Sequence, residues 1–420
     1  MNKRIGKFTA RNLVILYIIL YTVMPLVNRL TSRLLTTYFY MGMIVVFVLI
    51  VVVMEGANNF NKYLTIIAPF LLFQLLSLFL PKEDWLLWGY NILLFVLPVI
   101  LGVYLMEDNK RMASSYKNAL IAAMIITMIT TMIGCIQNPN AARTLATVSS
   151  QDVEAITFDM KNIGGYLFVY YIVLLYPVLI LAYKTKKIRL LPALALSILI
   201  FATIVYSEYT TALLLIIMTS LLWLTKKDLS FKGIILISVL GILALFVFSS
   251  SIYGFFDWLS QTINSETMAD RLAALAGGTK GLEAAEDNRI ELYRISFDQF
   301  LRHPLFGTLF ESKKTNGGHS FILDSLASYG VLGGALLFFM YKRIFALFFL
   351  PFKDKVGFGY VVWTFIQAII LSTFNTGMWL EVLCLFCPIL FYWIYGTETK
   401  AEKNNYEDTV DSQFASGTAG

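Results

Sequence analysis

Charge is scarce in this chain of 420 residues, and so are histidine and cysteine. Only 14% of the residues are charged, two are histidine and three are cysteine, while 58% are apolar. A soluble domain is about a quarter charged and roughly half apolar. A chain this poor in polar groups cannot cover the surface of two or three soluble domains, which excludes that organisation. A mean hydropathy of +0.70 excludes a disordered chain. Two histidines exclude a His-rich metal cluster, and three cysteines in 420 residues exclude a disulfide scaffold. Cys384-Leu-Phe-Cys387 has CxxC spacing, yet Cys135, Cys384 and Cys387 all fall in apolar runs. A redox or zinc role needs an exposed or polar setting, so these are read as small apolar residues. The net charge of +6 comes with no basic cluster interleaved with aromatics, so nucleic acid is not an expected partner.

What the chain does have is long apolar runs. A spanning helix needs about 20 mostly apolar residues. Twelve runs qualify: 12–28, 35–54, 64–80, 85–106, 118–136, 163–183, 190–206, 210–225, 233–253, 319–341, 356–373 and 378–395. The expected architecture is therefore an all-α polytopic membrane protein of about 12 transmembrane helices, with residues 1–395 forming one integral membrane domain. The first span follows Lys3, Arg4, Lys7 and Arg11 but lacks a small-residue cleavage site, so it reads as a retained anchor. Lysine and arginine set orientation. With the start of the chain inside, 21 of the 33 basic residues fall in cytoplasmic segments and 12 outside. Nine of those 12 lie in two long loops, 137–162 and 254–318, where the rule is weak. The short loops thus place both termini in the cytoplasm. Residues 396–420 are polar and read as a disordered cytoplasmic tail.

The loop 254–318 is the longest polar stretch, and it carries helix signals. Thr267 precedes Met268, Leu272 and Leu275, which Gly277-Gly278 ends. A second helix, capped by Asp287 or Asn288, runs through Arg302 to Pro304, with Ile290, Tyr293, Phe297 and Phe300 at helical spacing. Such a helix lies on the outer membrane surface with its apolar face down. Arg271, Arg289, Arg294 and Arg302 fall in this loop and Arg143 in the other. Guanidinium forks bind phosphate in bidentate fashion and keep their charge. A cluster beside a bilayer suits a lipid-linked phosphate. Each arginine taken alone also fits an ordinary amphipathic surface helix. Gly317-Gly318-His319-Ser320 then leads into an apolar helix carrying Asp324, Gly330 and Gly333. Histidine at the mouth of a span can exchange protons or hold one hydrogen bond. Asp324 is expected about a turn inside that span, where a carboxylate is costly and so calls for a functional reason.

The motifs then resemble a known family. His319-Ser320, nine residues and Gly330-Val-Leu-Gly333 match the H-[NSQ]-x9-G-x-x-[GTY] pattern of the O-antigen ligase and polymerase superfamily. Arg289-Ile-Glu-Leu-Tyr293 and His303-Pro-Leu-Phe-Gly307 resemble its R-x-x-L-[WY] and P-L-F-G elements, in the same order and in the last large outer loop. Gly-Gly-His-Ser, together with Lys161-Asn-Ile-Gly-Gly165, is most similar to Wzy-type polymerases of capsule, O-antigen or exopolysaccharide repeats. Leu309, where many members have glycine, and Ser207-Glu208-Tyr209, where many have Ser-Arg, depart from the pattern.

The resemblance implies a GT-C-like membrane glycosyltransferase working at the outer face of the cytoplasmic membrane. It would transfer a growing glycan from undecaprenyl diphosphate onto a new lipid-linked repeat, with no nucleotide sugar, cofactor or metal. Its partners would be lipid-linked oligosaccharide donor and acceptor, membrane lipid, and a chain-length regulator protein. By the same implication, Arg289 and His319 carry the catalysis. Arg143, Arg271, Arg294 and Arg302 are candidates for the second arginine, with Ser320, Asp324 and Glu208 as further substrate-binding or supporting residues. Three alternatives stay open: a ligase of the same superfamily, a lipid-linked oligosaccharide flippase or transporter, and a non-catalytic assembly scaffold.

Overall fold

A computed structural model describes residues 15–34, 97–105, 110–139, 141–147, 152–225, 291–309 and 316–396, with a few isolated positions between them. The described residues are helical and contain no strand. In chain order the helices are α1 (Pro25–Leu34), α2 (Lys110–Gln137), α3 (Ala141–Thr147), α4 (Val153–Met160), α5 (Tyr166–Lys184), α6 (Leu190–Tyr206) and α7 (Thr210–Ser220). There follow α8 (291–302), α9 (Phe321–Phe348), α10 (Phe358–Phe374) and α11 (Cys387–Tyr395), the last entered through a π-helical turn at Glu381–Phe386. Residues 15–23 and 97–105 are also helical.

Among the described residues, three stretches, Tyr116–Gln137, Tyr166–Lys184 and Phe321–Phe352, are long and apolar enough to cross a membrane. At 1.5 Å per residue the first of these, 22 residues, reaches about 33 Å, the depth of a bilayer core. Leu190–Tyr206, Thr211–Leu224, Phe358–Phe374 and Glu381–Tyr395 are shorter apolar helices in the same body. The chain is thus a helical, membrane-embedded protein. These seven stretches coincide with seven of the twelve expected spans. The spans at 35–54, 64–80 and 233–253 fall almost wholly outside the described residues, as do the early part of 85–106, the helix expected after Thr267 and the tail.

α5 sits at the centre. It is apolar all round, which marks a helix with no solvent face, and 78% of its most apolar window is buried. α6, α7, α10 and α11 pack around it, while α2 closes against α6 and α11. Lys184, at the end of α5, ties one end of the bundle together by donating to the carbonyls of Trp223 at 2.9 Å and Thr225 at 2.6 Å. The Thr225 and Tyr360 hydroxyls meet there at 2.7 Å. The lysines and arginines at 184–189 and 342–355 lie at this end.

Two elements differ from the sequence expectation. The first expected span breaks at Met24, and Pro25 starts a separate short helix that runs on through Arg29 and Arg33, in the stretch between the expected spans 12–28 and 35–54. Proline suits a first helical position because the amide it lacks would have no partner there. The stretch 137–162, expected as a loop, folds into α3 and α4. The Asn162 turn after α4 fixes their position. Its amide nitrogen donates to the Thr127 and Thr130 hydroxyls at 3.1 Å each, and its Oδ1 accepts the Leu26 amide of α1 at 3.2 Å. The Thr131 hydroxyl accepts the Gly164 amide at 2.7 Å. Three threonines on one face of α2 therefore hold the α3–α4 segment to the bundle.

Candidate functional site

At the opposite end of the bundle from Lys184, the turn Gly317–Ser320 precedes α9. Gly318 has φ +76°, a conformation open to glycine without strain. Ser320 is the N-cap of α9, and its hydroxyl accepts the Leu323 amide at 3.0 Å. Asp324 lies in the first turn of α9, closer to the helix start than expected. Its two oxygens accept the Gly318 amide at 3.2 Å and the Ser320 amide at 3.0 Å, and one also takes the Ser296 hydroxyl of α8. The Ser296 oxygen in turn accepts the Gly317 amide at 2.9 Å. This carboxylate, expected inside the span, is thus a helix-start cap that sets the turn. His319 stands exposed at its tip, and its imidazole has no hydrogen-bond partner among the described residues.

The glycines of the Pro-Leu-Phe-Gly element and of the Gly-x-x-Gly end of the His319 motif also have an architectural role. α9 is broken at Gly330, where φ is +62° and ψ −156°. The break frees backbone groups that residues 304–308 satisfy. The Val331 amide donates to the Pro304 carbonyl at 2.8 Å, the Leu332 amide to the Leu305 carbonyl at 3.4 Å, and the Thr308 amide to the Ala327 carbonyl at 3.0 Å. A Cβ on Gly330 would strike the Leu305 backbone, and one on Gly307 would strike the backbone of 327–329. Pro-Leu-Phe-Gly and Gly-x-x-Gly are two halves of one backbone joint between the segment after α8 and α9.

Facing this turn is a second one. Ser207-Glu208-Tyr209 joins α6 to α7 with Glu208 at φ +61° and all three residues buried. The Glu208 carbonyl accepts Nη1 of Arg143 at 3.4 Å. The Tyr209 hydroxyl donates to the Ala142 carbonyl at 3.0 Å. The Tyr209 ring packs edge-on to Tyr166 and Tyr170, and both of those rings lie against Trp379. Burial pushes the Tyr209 hydroxyl above its ordinary pKa, so it stays protonated and donates.

These elements surround a cavity of about 650 Å³. Arg143 of α3, Asp159 of α4, Tyr166 of α5, Tyr209, Gly318, His319 and Asn375 line it, with Tyr21 and Asn28 from the start of the chain. A volume of several hundred Å³ with a few converging polar groups is the size and character of a ligand site. Asp159 is the acidic member. Its carboxyl is raised above its ordinary pKa by burial, and the Arg29 guanidinium on α1 opposes that shift.

The structure thus brings together Arg143 and His319, which are 176 positions apart in sequence. Ser320 and Asp324 support the turn and do not line the cavity. Glu208 offers its backbone to Arg143. Arg294 and Arg302 are exposed on α8 and do not line the cavity. Arg294 pairs with Glu291 at 4.0 Å and Asp298 at 3.7 Å, both solvent-facing contacts of small energetic weight. Arg289 and Arg271 lie outside the described residues. Asp159, Tyr166 and Asn375 were not singled out in the sequence, because nothing local distinguishes them from ordinary loop and helix-end residues. No family model matches the chain, and no curated protein matches it.

Proposed function

We propose that the protein is a lipid-linked-donor glycosyltransferase that polymerises undecaprenyl-diphosphate-linked oligosaccharide repeats at the outer face of the cytoplasmic membrane. The observation that carries this reading is the shared cavity of Arg143 and His319. It opens at the bundle end away from the lysines and arginines of 184–189 and 342–355, which the positive-inside rule assigns to the cytoplasm. Arginine there can hold the diphosphate by its fork and stabilise the charge that develops as it leaves. Arg289 is assigned the same duty, on the resemblance of its motif. Leu301, Leu305, Phe306 and Val331 are all at least half exposed around the joint with α9. That apolar ridge suits an outer segment lying on lipid, from which the isoprenoid tails would approach.

The test is reconstitution. The protein is placed in nanodiscs and supplied only with lipid-linked repeats purified from cells that lack it. The expected products are longer lipid-linked glycans and free undecaprenyl diphosphate, with no nucleotide sugar added. A ligase would leave the repeats unextended until a separate acceptor was supplied. A flippase or a scaffold would change no covalent bond.

A further inference from the structure

The transfer proposed above needs a group to receive the proton of the attacking hydroxyl. The acidic residues singled out in the sequence do not serve. Asp324 commits both oxygens to Ser296, Gly318 and Ser320, and Glu208 lies in a buried turn outside the cavity wall. Among the described residues, the wall holds one carboxylate, Asp159. It lies on α4, one turn beyond Ala155, which lines the same wall.

The polar groups divide by chemistry. Arg143 and His319 supply cationic or donating groups, and Asp159 supplies an acceptor. A diphosphate is repelled by a carboxylate and held by a guanidinium. A sugar hydroxyl is held by a carboxylate. Asn28 adds an amide, and Tyr21 and Tyr166 add aromatic rings against which the apolar face of a pyranose can lie.

Resting on the polymerase reading, we infer that Asp159 is the catalytic base, binding the acceptor-sugar hydroxyl in this cavity and taking its proton during transfer. The hydroxyl oxygen forms the new bond to the anomeric carbon of the donor glycan. The bond from that carbon to the diphosphate oxygen breaks, and undecaprenyl diphosphate leaves with the electron pair. The hydroxyl proton passes to the Asp159 carboxylate. Burial raises the pKa of Asp159, which makes its ionised form a stronger base. Among the described residues, the charged and titratable groups around it are Arg29 on α1, Arg143 on α3, and Tyr21, Tyr166, Tyr209 and His319 lining the same cavity. Only the ionised carboxylate accepts a proton, so turnover should fall as pH drops through its raised value.

The test uses the full chain in nanodiscs, with lipid-linked repeats from cells lacking it as substrate and undecaprenyl diphosphate as competitor. Asp159→Asn should lower turnover about a hundredfold or more. Inhibition by undecaprenyl diphosphate should be unchanged, because the carboxylate does not hold the phosphate. Asp159→Glu should recover part of the rate, and the acid limb of the wild-type pH profile should be missing from the residual activity of the Asn variant. The inference is overturned if Asp159→Asn turns over within about threefold of wild type. It is equally overturned if turnover and undecaprenyl diphosphate binding are lost together, since that marks a structural support of the cavity. Absence of elongation by the wild-type protein is a different failure: it removes the polymerase reading, and this inference with it.

Discussion

His319→Ala is expected to reduce polymerisation by about 10²- to 10⁴-fold, the usual worth of a positioned proton-handling or hydrogen-bonding side chain at a reacting centre. The protein should insert and accumulate as wild type does. The turn that carries His319 is held by the Gly318 and Ser320 amides on Asp324 and by the Gly317 amide on Ser296, none of which involves the imidazole. The side chain is exposed, so its removal leaves no core cavity. Loss of activity therefore reports on chemistry and not on folding. The readout is polymer length in cells carrying the variant. His319→Gln keeps hydrogen-bonding capacity but cannot carry the imidazolium charge. Substantial activity in the Gln variant assigns His319 an orienting role on the diphosphate, as expected if Asp159 takes the proton. Normal polymer in the alanine variant would make His319 an interfacial residue with no part in the reaction.

Arg143→Ala should cost about 10²–10³ in turnover, the scale on which enzymes lose rate when one preorganised charge-stabilising donor is removed. The guanidinium is oriented before substrate arrives, because Nη1 is anchored on the Glu208 carbonyl at 3.4 Å. A guanidinium has five donors and can bond more than one partner at once, so this anchor is compatible with a diphosphate on the same side chain. Arg143→Lys should recover only part of the loss, since a point charge cannot bridge a backbone carbonyl and a phosphate in the same way. The α3 contact to the 207–209 turn persists in both variants through the Tyr209 hydroxyl on the Ala142 carbonyl. Turnover and affinity for undecaprenyl diphosphate, measured side by side, check the assignment. Wild-type affinity in Arg143→Ala would move the diphosphate elsewhere in the cavity. Arg294→Ala, by contrast, should be nearly silent, because its guanidinium is exposed and, among the described residues, its ion pairs are the solvent-facing ones with Glu291 and Asp298.

The membrane body was legible in the sequence because burial in lipid demands long uninterrupted apolar runs, and hydropathy reads those directly. Tyr166–Lys184 and Phe321–Phe348 begin within a few residues of their expected positions. The α8 helix was also legible, through its apolar spacing and Pro304. α3 and α4 were not. Each is seven or eight residues long, so neither produces a run or a repeat that stands out. They are placed by the Asn162 turn on the threonines of α2, a contact between side chains more than 30 positions apart. The joint between residues 304–308 and the broken α9 left a trace in the sequence, the glycines at 307 and 330. Its meaning required seeing two backbones in contact. Asp324 was misplaced for a simpler reason. The helix begins at Phe321 and not at His319, which moves the carboxylate from the interior of a span to its cap.

The site was legible in its members but not in its membership. Arg143 and His319 carry residue types that phosphate and hydroxyl chemistry demands, and both could be named from the sequence. Nothing there separated Arg143 from Arg294 or Arg302. Only the convergence of α3, α5, the 207–209 turn and the 317–320 turn makes that separation. Asp159 was invisible for the same reason, being one acidic residue among 27.

The most direct measurement of the central claim is the lipid-linked glycan content of cells lacking this chain, sorted by length and by membrane face. The account predicts single repeats on undecaprenyl diphosphate, accessible from the outer face, with no longer lipid-linked chains. Accumulation of full-length lipid-linked polymer would contradict it and mark a ligase. Single repeats shielded on the inner face would contradict it and mark a flippase.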